Sequence, residues 1–307
     1  MRIHDNLFNP LPLFESKEDW YKNKETYKGK SSPTITAKNY LLPMQLTVDK
    51  EMYDALTTTQ PNILVMFRVI SCDDKKTYRL NIEEVYRSID LLPDNIRNEE
   101  NYACVFLGGR WLISHDIPIG TYYLSMTYGD TNDITASKEW YSDLFTFRAD
   151  TSDLIKLSYR ATKPIVTANN YMPFKEGVSE RQMEVWIDAT AMNNEFMFED
   201  SVETMDGYDM VEKRVSYKKY NIVFLATEYM AEALRLLWHC DDVEMTMRGR
   251  RYKVNNTNIE VAWDVDNHFA KVTLKCKTDT VIQTNGIGIY AKAEGRAFSD
   301  DYNDDFD

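Results

Sequence analysis

Groups capable of chemistry crowd together at one place in this 307-residue sequence, His239-Cys240-Asp241-Asp242. An imidazole, a thiol and two carboxylates are the right types to hold a metal ion or to generate a thiolate. Their spacing argues against both. Four consecutive residues at the end of a helix point in diverging directions, and no second ligand group stands at a zinc-site interval. The expectation is that they close a helix and open a strand. The remaining histidines, His4, His115 and His268, are scattered, which leaves few carriers for proton transfer near neutral pH. The carboxylate pairs Glu83-Glu84 and Glu99-Glu100 lie in polar stretches that suit a solvated face better than the two acids of a glycosidase. Gly286-Ile287-Gly288 precedes neither a helix nor a basic phosphate ligand, and the sequence holds no Walker loop, GxSxG elbow or HExxH run. No catalytic, cofactor-binding or metal-binding residue is assigned, and no cofactor is expected.

Residues suited to contacts rather than chemistry are easier to find. The opening segment combines Pro10, Pro12 and Pro33 with lysines from Lys17 to Lys30 and the aromatics Phe8, Phe14, Trp20, Tyr21 and Tyr27, without a sustained period of 2 or 3.6. A solvated tail seldom carries so many rings, so these five aromatics are candidate interface residues that order against a partner; packing back on their own domain is the alternative. A second candidate is the row Lys271, Lys275 and Lys277 on the outer face of a strand, with Lys218, Lys219, Arg248, Arg250 and Arg251 as an extension. Such a row would meet an acidic surface, and the final residues 292–307 of a neighbouring copy, with six carboxylates against two basic residues, are one candidate.

The elements that must carry these residues are mostly strands. Ile63 to Ile70 and Tyr102 to Leu107 are short apolar runs; Thr121 to Tyr128 alternates, with Tyr122, Leu124, Met126 and Tyr128 on one face and Ser125 and Thr127 on the other. Gly129-Asp130 reads as a turn. Trp140 to Phe147 and Leu154 to Tyr159 add further strands, and Asn81 to Ser88 reads as a short helix. Beyond a polar stretch from Thr162 to Pro173, alternation returns at Gln182 to Asp188 and Lys219 to Ala226. Thr227 then caps a helix to about His239, with Glu228 in its first turn and Met230, Ala233, Leu234 and Leu237 as its apolar stripe. Val243 to Met247, Arg248-Gly249 and Tyr252 to Val254 spell a hairpin, and Ala270, Val272, Leu274 and Cys276 alternate with Lys271, Thr273, Lys275 and Lys277. The fold expected is mainly β: an arm over 1–38, an immunoglobulin- or fibronectin-like antiparallel sandwich over 39–161, an α+β domain over 162–291 with an antiparallel sheet and one prominent helix, and an acidic tail over 292–307.

Bulk chemistry narrows the function. The net charge of -13 leaves the basic residues too diluted for a strong phosphate-binding field, so direct nucleic-acid binding is not expected. Cys72, Cys104, Cys240 and Cys276 are far apart and form no CxxC pair, which suits a reducing cytosol. Cys104 and Cys276 fall in apolar alternation as small core residues. Met1-Arg2-Ile3-His4-Asp5-Asn6 has no apolar run behind its charge, so no secretory signal is expected, and no stretch approaches the roughly 20 apolar residues of a membrane span.

Two stretches resemble a known family. Ile117-Pro118-Ile119-Gly120-Thr121-Tyr122-Tyr123-Leu124, followed by Lys138-Glu139-Trp140-Tyr141-Ser142-Asp143-Leu144-Phe145, resembles the sandwich of tail-associated proteins in Bacteroidetes phages and prophages, where a G-x-Y-Y strand precedes a W-Y-S-[ED]-x-F strand. The second runs from Gly207-Tyr208 through Lys218-Lys219-Tyr220, Thr227 to Arg235, Trp263 and Ala270-Lys271-Val272 to Thr278-Asp279-Thr280-Val281-Ile282, and is similar to the C-terminal domain of the same proteins. The likeness covers roughly residues 115–285. Such proteins also occur in crAss-like phages, whose short tails contain stacked rings around the portal axis.

The resemblance implies a structural virion protein of the tail, neck or baseplate, made in the host bacterial cytoplasm. It implies assembly with copies of itself in a ring, twelvefold symmetry being one candidate, and with other tail, portal or ring proteins; it supplies no catalytic residues. The alternative is a carbohydrate- or receptor-binding module of the tail, with Trp111, Trp140, Trp186 or Tyr123 stacking on sugar rings. An enzyme is not expected.

Overall fold

A computed structural model describes residues 4–5, 11–15, 34–36, 43–57, 63–80, 85–87, 101–107, 117–130, 133–162, 183–205, 208–263 and 269–285. The fold is mainly β, with an α+β second half, as the alternation required. In chain order the elements are β1 (His4–Asp5), β2 (Leu13–Phe14), β3 (Thr34–Thr36), β4 (Pro43–Asp49), helix α1 (Lys50–Thr57), β5 (Ile63–Ser71), β6 (Thr77–Leu80), β7 (Val85–Arg87), β8 (Asn101–Leu107), β9 (Gly120–Asp130), β10 (Asp133–Ser142), β11 (Phe145–Arg148) and β12 (Ile155–Arg160). The second half continues with β13 (Met183–Ile187), β14 (Ala191–Met205), β15 (Tyr208–Ala226), α2 (Glu228–Leu234), a 3-10 turn (Arg235–His239), β16 (Asp242–Met247), β17 (Arg250–Trp263), β18 (Ala270–Thr278) and β19 (Ile282–Asn285).

The strands form a small sheet, β1-β4-β8-β7, and a large one ordered β14-β15-β18-β17-β16-β12-β13-β3-β11-β9-β10-β2. β5 also pairs with β9 and β6 with β5, while β19 pairs with β15. All pairings among the described residues are antiparallel except β3 with β11. Helix α1 lies between the layers, touching β4, β7 and β8 of the small sheet and β5 of the large one.

Period-2 patterning decides the cores. In the first half Phe67, Val69, Tyr122, Leu124, Met126, Trp140, Phe145 and Phe147 are buried, with Tyr122 stacked on Phe145 at 6.0 Å. In the second half Ala270, Val272, Leu274 and Cys276 turn inward onto Ile222, Phe224 and the helix residues Leu234 and Leu237, as the sequence required. Ile155, Leu157 and Tyr159 of β12 belong to this second core. β12 is paired on one side with β13 and on the other with β16, so the last strand of the expected sandwich is built into the sheet that follows it.

Several local readings change, among them Gly129-Asp130, which ends strand β9 where a turn was expected. Asn81 to Ser88 contains strand β7 instead of a helix, because Val85 and Tyr86 find partners in Phe106 and Val105 across an antiparallel ladder, and tertiary pairing overrides local preference. The helix that precedes β5 was not expected; Asp49 caps it, its carboxylate accepting from the Met52 amide at 3.0 Å. Trp140 to Phe147 is two strands rather than one: β10 ends at Ser142, and β11 resumes at Phe145 against an earlier part of β9. Thr227 does cap α2, accepting from the Met230 amide at 3.2 Å, but the helix tightens into the 3-10 turn after Leu234.

Candidate interaction surface

The longest pairing among the described residues is β14 with β15, a hairpin whose register runs from Ala191 opposite Val223 to Met205 opposite Tyr208. Its base is part of the second core, where Tyr220, Ile222 and Phe224 are buried. Directly opposite residues share a face, so Phe196 opposite Lys218 and Phe198 opposite Ser216 lie on the same side of the sheet as those core residues. Beyond Tyr220, however, the cover ends. Phe196 is 67% exposed and Phe198 77%. On the other flank of β15, Ile282 also stands opposite Ser216 and is 73% exposed, which completes an apolar rung of Phe198, Ser216 and Ile282 across three strands. The Lys218 ammonium marks the border, 4.7 Å from the buried Tyr220 ring and 5.6 Å from the exposed Phe196 ring.

β14 is also the edge of the large sheet; among the described residues no strand pairs with its outer side. It has neither proline nor lysine, and a single irregularity at Ser201/Val202 breaks its register. Edge strands normally carry such features to prevent further pairing. A long edge with exposed phenylalanines is a surface suited to another chain.

The opposite face of the same strands carries the lysine row, and the structure compensates two of its three members internally. Lys275 pairs with Glu260 of β17 at 2.6 Å. Lys277 sits over the Tyr217 ring, whose hydroxyl donates to Glu199 at 2.5 Å. Lys271 has Leu225 and Ala262 as cross-strand neighbours and forms no ion pair among the described residues. Of the arm aromatics, Phe14 is half-buried, pairs with Tyr141 through β2–β10 and meets the Tyr229 ring of α2 edge-on at 6.2 Å. Phe8, Trp20, Tyr21 and Tyr27 lie outside the described residues, as do the tail and Gly286-Ile287-Gly288.

The segment around β2 covers a buried acid. Leu11 is fully buried, and the Pro12 carbonyl accepts from the Asp143 amide at 3.1 Å. The Asp143 side chain is 1% exposed; Oδ1 accepts from the Leu144 amide at 2.8 Å and Oδ2 has no partner among the described residues. Burial pushes this carboxyl up to about 6, with the Leu144 hydrogen bond acting in the opposite sense. Across the neighbouring strands, the Arg68 guanidinium donates to Thr127 at 2.8 Å and joins Glu139, which accepts from the buried Ser125 at 2.6 Å and Tyr141 at 2.5 Å. These groups bind one another across β5, β9 and β10, which fits a stitch between strands, while the buried Arg68 Nε has no partner among the described residues.

At the end of the 3-10 turn the consecutive residues diverge as expected. Asp241 accepts from the Thr162 amide at 2.8 Å and Asp242 from Arg160 at 2.7 Å. Cys240 instead faces the core, where burial first, then Asp241 and Asp242, push its thiol up to about 12, the reverse of activation. No group of three potential metal ligands comes together among the described residues. Of the rings proposed to stack on sugars, Trp140, Trp186 and Tyr123 are buried and Trp111 lies outside the described residues; among the described residues the exposed tryptophans are Trp238 and Trp263.

Sequence reasoning passed over Phe196 and Phe198. The signal was there in Glu195-Phe196-Met197-Phe198-Glu199, and in Asp206-Gly207, a favoured hairpin dipeptide, eight residues after Phe198. Compared with protein-family models and with curated proteins, the chain matches none.

Proposed function

We propose that this chain is a structural virion protein of a tailed phage that assembles with copies of itself, and with neighbouring tail, neck or portal proteins, into a ring. Its role in this reading is to present surfaces, not to turn over a substrate, and its place is the virion tail. The observation that carries the assembly half of the reading is the uncovered rung of Phe198, on a hairpin whose outer edge is unpaired among the described residues, and Ile282 of the adjoining β19. Apolar side chains at such exposure are costly in water unless a partner covers them, and an open strand edge offers main-chain hydrogen bonds to that partner. The phage half is supported by the ordered motifs from Ile117 to Ile282.

Sedimentation velocity over a wide concentration range, with negative-stain microscopy of the associated fraction, tests the first half. Concentration-dependent closed particles are expected, and a chain that stays monomeric throughout overturns the reading. Mass spectrometry of purified virions tests the second half, and absence of the chain from particles overturns it.

A further inference from the structure

Two hairpins leave the large sheet at the same end. β15 and β17 both run antiparallel to β18, so they run parallel to each other, and each begins at its own turn. β18 stops at Thr278, opposite Val254 and beside Lys218. From there β14–β15 continues outward to Met205 and Tyr208, and β16–β17 to Met247 and Arg250.

Their charges are opposite and segregated. The outer part of the long hairpin holds Glu199, Asp200, Glu203, Asp209 and Glu212 against Lys213 and Arg214, of which Arg214 reaches Asp200 at 3.8 Å, so acids outnumber bases there. The short hairpin reads Arg248-Gly249-Arg250-Arg251-Tyr252-Lys253, four bases without an acid, in a chain of net charge -13. Arg251 reaches Glu244 at 3.4 Å and Lys253 reaches Asp242 at 4.0 Å within their own hairpin, whereas Arg248 and Arg250 are exposed and form no ion pair among the described residues. No ion pair joins the two hairpins among the described residues. The turn itself gives a reason to notice Arg248. Its φ is 48° and that of Gly249 is 73°, and a two-residue turn with both angles positive favours asparagine or glycine at the first position. An arginine there occupies a strained backbone that the turn does not ask for.

We infer that the two hairpins are the two halves of one joint, with the basic β16–β17 tip of one copy seated on the acidic, phenylalanine-bearing β14–β15 hairpin of the next. This rests on the assembly reading above and adds which surfaces meet. Like hairpins repel each other, so only the unlike pair is favourable, and the contact is head-to-tail, the kind that closes into a ring or runs on as a filament. The exposed rings of Phe196 and Phe198 supply apolar area and faces for guanidinium groups to lie on, as Lys218 already lies near Phe196 within one copy. The charges fix which copy meets which, and their contribution weakens with salt.

Charge exchange tests the joint in the full chain. Arg248→Glu with Arg250→Glu cancels the positive charge of the short hairpin's tip; Asp200→Lys with Glu203→Lys offsets the negative charge of the long hairpin. Each pair is expected to weaken association by about tenfold or more in sedimentation velocity, while circular dichroism stays that of the folded wild type. The four-fold variant carrying both pairs exchanges the charge signs at these four positions, so opposite charges face each other there again, and is expected to recover association. Association unaffected by either pair, or a folded four-fold variant that fails to recover, overturns the joint while leaving self-assembly standing. A wild-type chain that never associates overturns the assembly reading itself. Wild-type binding to a DNA duplex that Arg248→Glu with Arg250→Glu abolishes, with association unchanged, overturns the joint in favour of phosphate recognition by the basic tip.

Discussion

The ammonium of Lys277 lies 3.5 Å from the centroid of the Tyr217 ring, and Lys219 approaches the same ring at 5.6 Å. The outer face of the second half therefore carries positive charge that the chain has already engaged. Lys277→Ala is expected to lower stability by about 0.5–2 kcal/mol, the worth of a half-buried cation over the buried Tyr217 ring. Lys271→Ala, with no ion pair among the described residues, is expected to stay within about 0.5 kcal/mol of wild type. Urea unfolding of both variants checks the difference, and equal losses would show that the Tyr217 contact stabilises nothing.

Asp143 gives a pH dependence whose sign can be worked out. Its carboxyl is raised from 3.8 to about 6 by burial, so between those values the folded chain holds a proton that the unfolded chain has released. Stability from this group is complete below 3.8, falls as pH rises through the window and is lost above about 6, a change of about 3 kcal/mol. Asp143→Asn removes that slope. Compared at pH 4.5 and 7.5, the urea midpoint of wild type is expected to fall relative to that of the variant, and parallel behaviour would mean that Asp143 is solvated.

Gly129 sits in β9, not in a turn. A Cβ at this position would stand 2.7 Å from the Ser137 Cβ and 2.9 Å from its Cα, closer than real side chains come. Gly129→Ala is expected to push β10 away and to cost roughly 1–3 kcal/mol, measured by thermal or urea unfolding. A neutral result would show that β10 does not approach β9 there.

Cys240 and Cys276 are both pushed up to about 12 by burial, with Asp241 and Asp242 adding to the effect at Cys240 and a Tyr220 backbone hydrogen bond opposing it at Cys276. At pH 8 neither thiol is expected to react with iodoacetamide until urea unfolds the chain, as followed by mass spectrometry of the labelled peptides. Rapid native labelling of Cys240 would place the end of the 3-10 turn in solvent.

Burial writes itself into sequence, and lack of burial does not. The alternation from Ala270 to Cys276 is legible because one face of β18 packs on a core and the other meets water. Thr227 is legible because a helix start needs an oxygen for its free amides. Residues 191–202 show no comparable pattern: Asn193, Asn194 and Glu195 are exposed, like Phe196 and Phe198, so nothing sorts the strand into two faces. The surface that carries the proposed function was hidden for the same reason that it is a surface. The helix at Lys50–Thr57 is a different case, signalled by Asp49 and Glu51 but set within a run of strands, and β7 depends on a partner in β8 that local propensity does not reveal.

The place of β12 has a consequence for how the chain is made. Arg160 contacts Asp242, 82 residues further on, and β16 supplies a whole flank of β12. While the ribosome is still translating the stretch between them, Ile155, Leu157 and Tyr159 have emerged without the neighbours that will enclose them. The nascent chain must therefore hold a greasy, half-zipped ribbon until β16 is released, a window in which a chaperone, or the wrong copy of the same ribbon, competes for it.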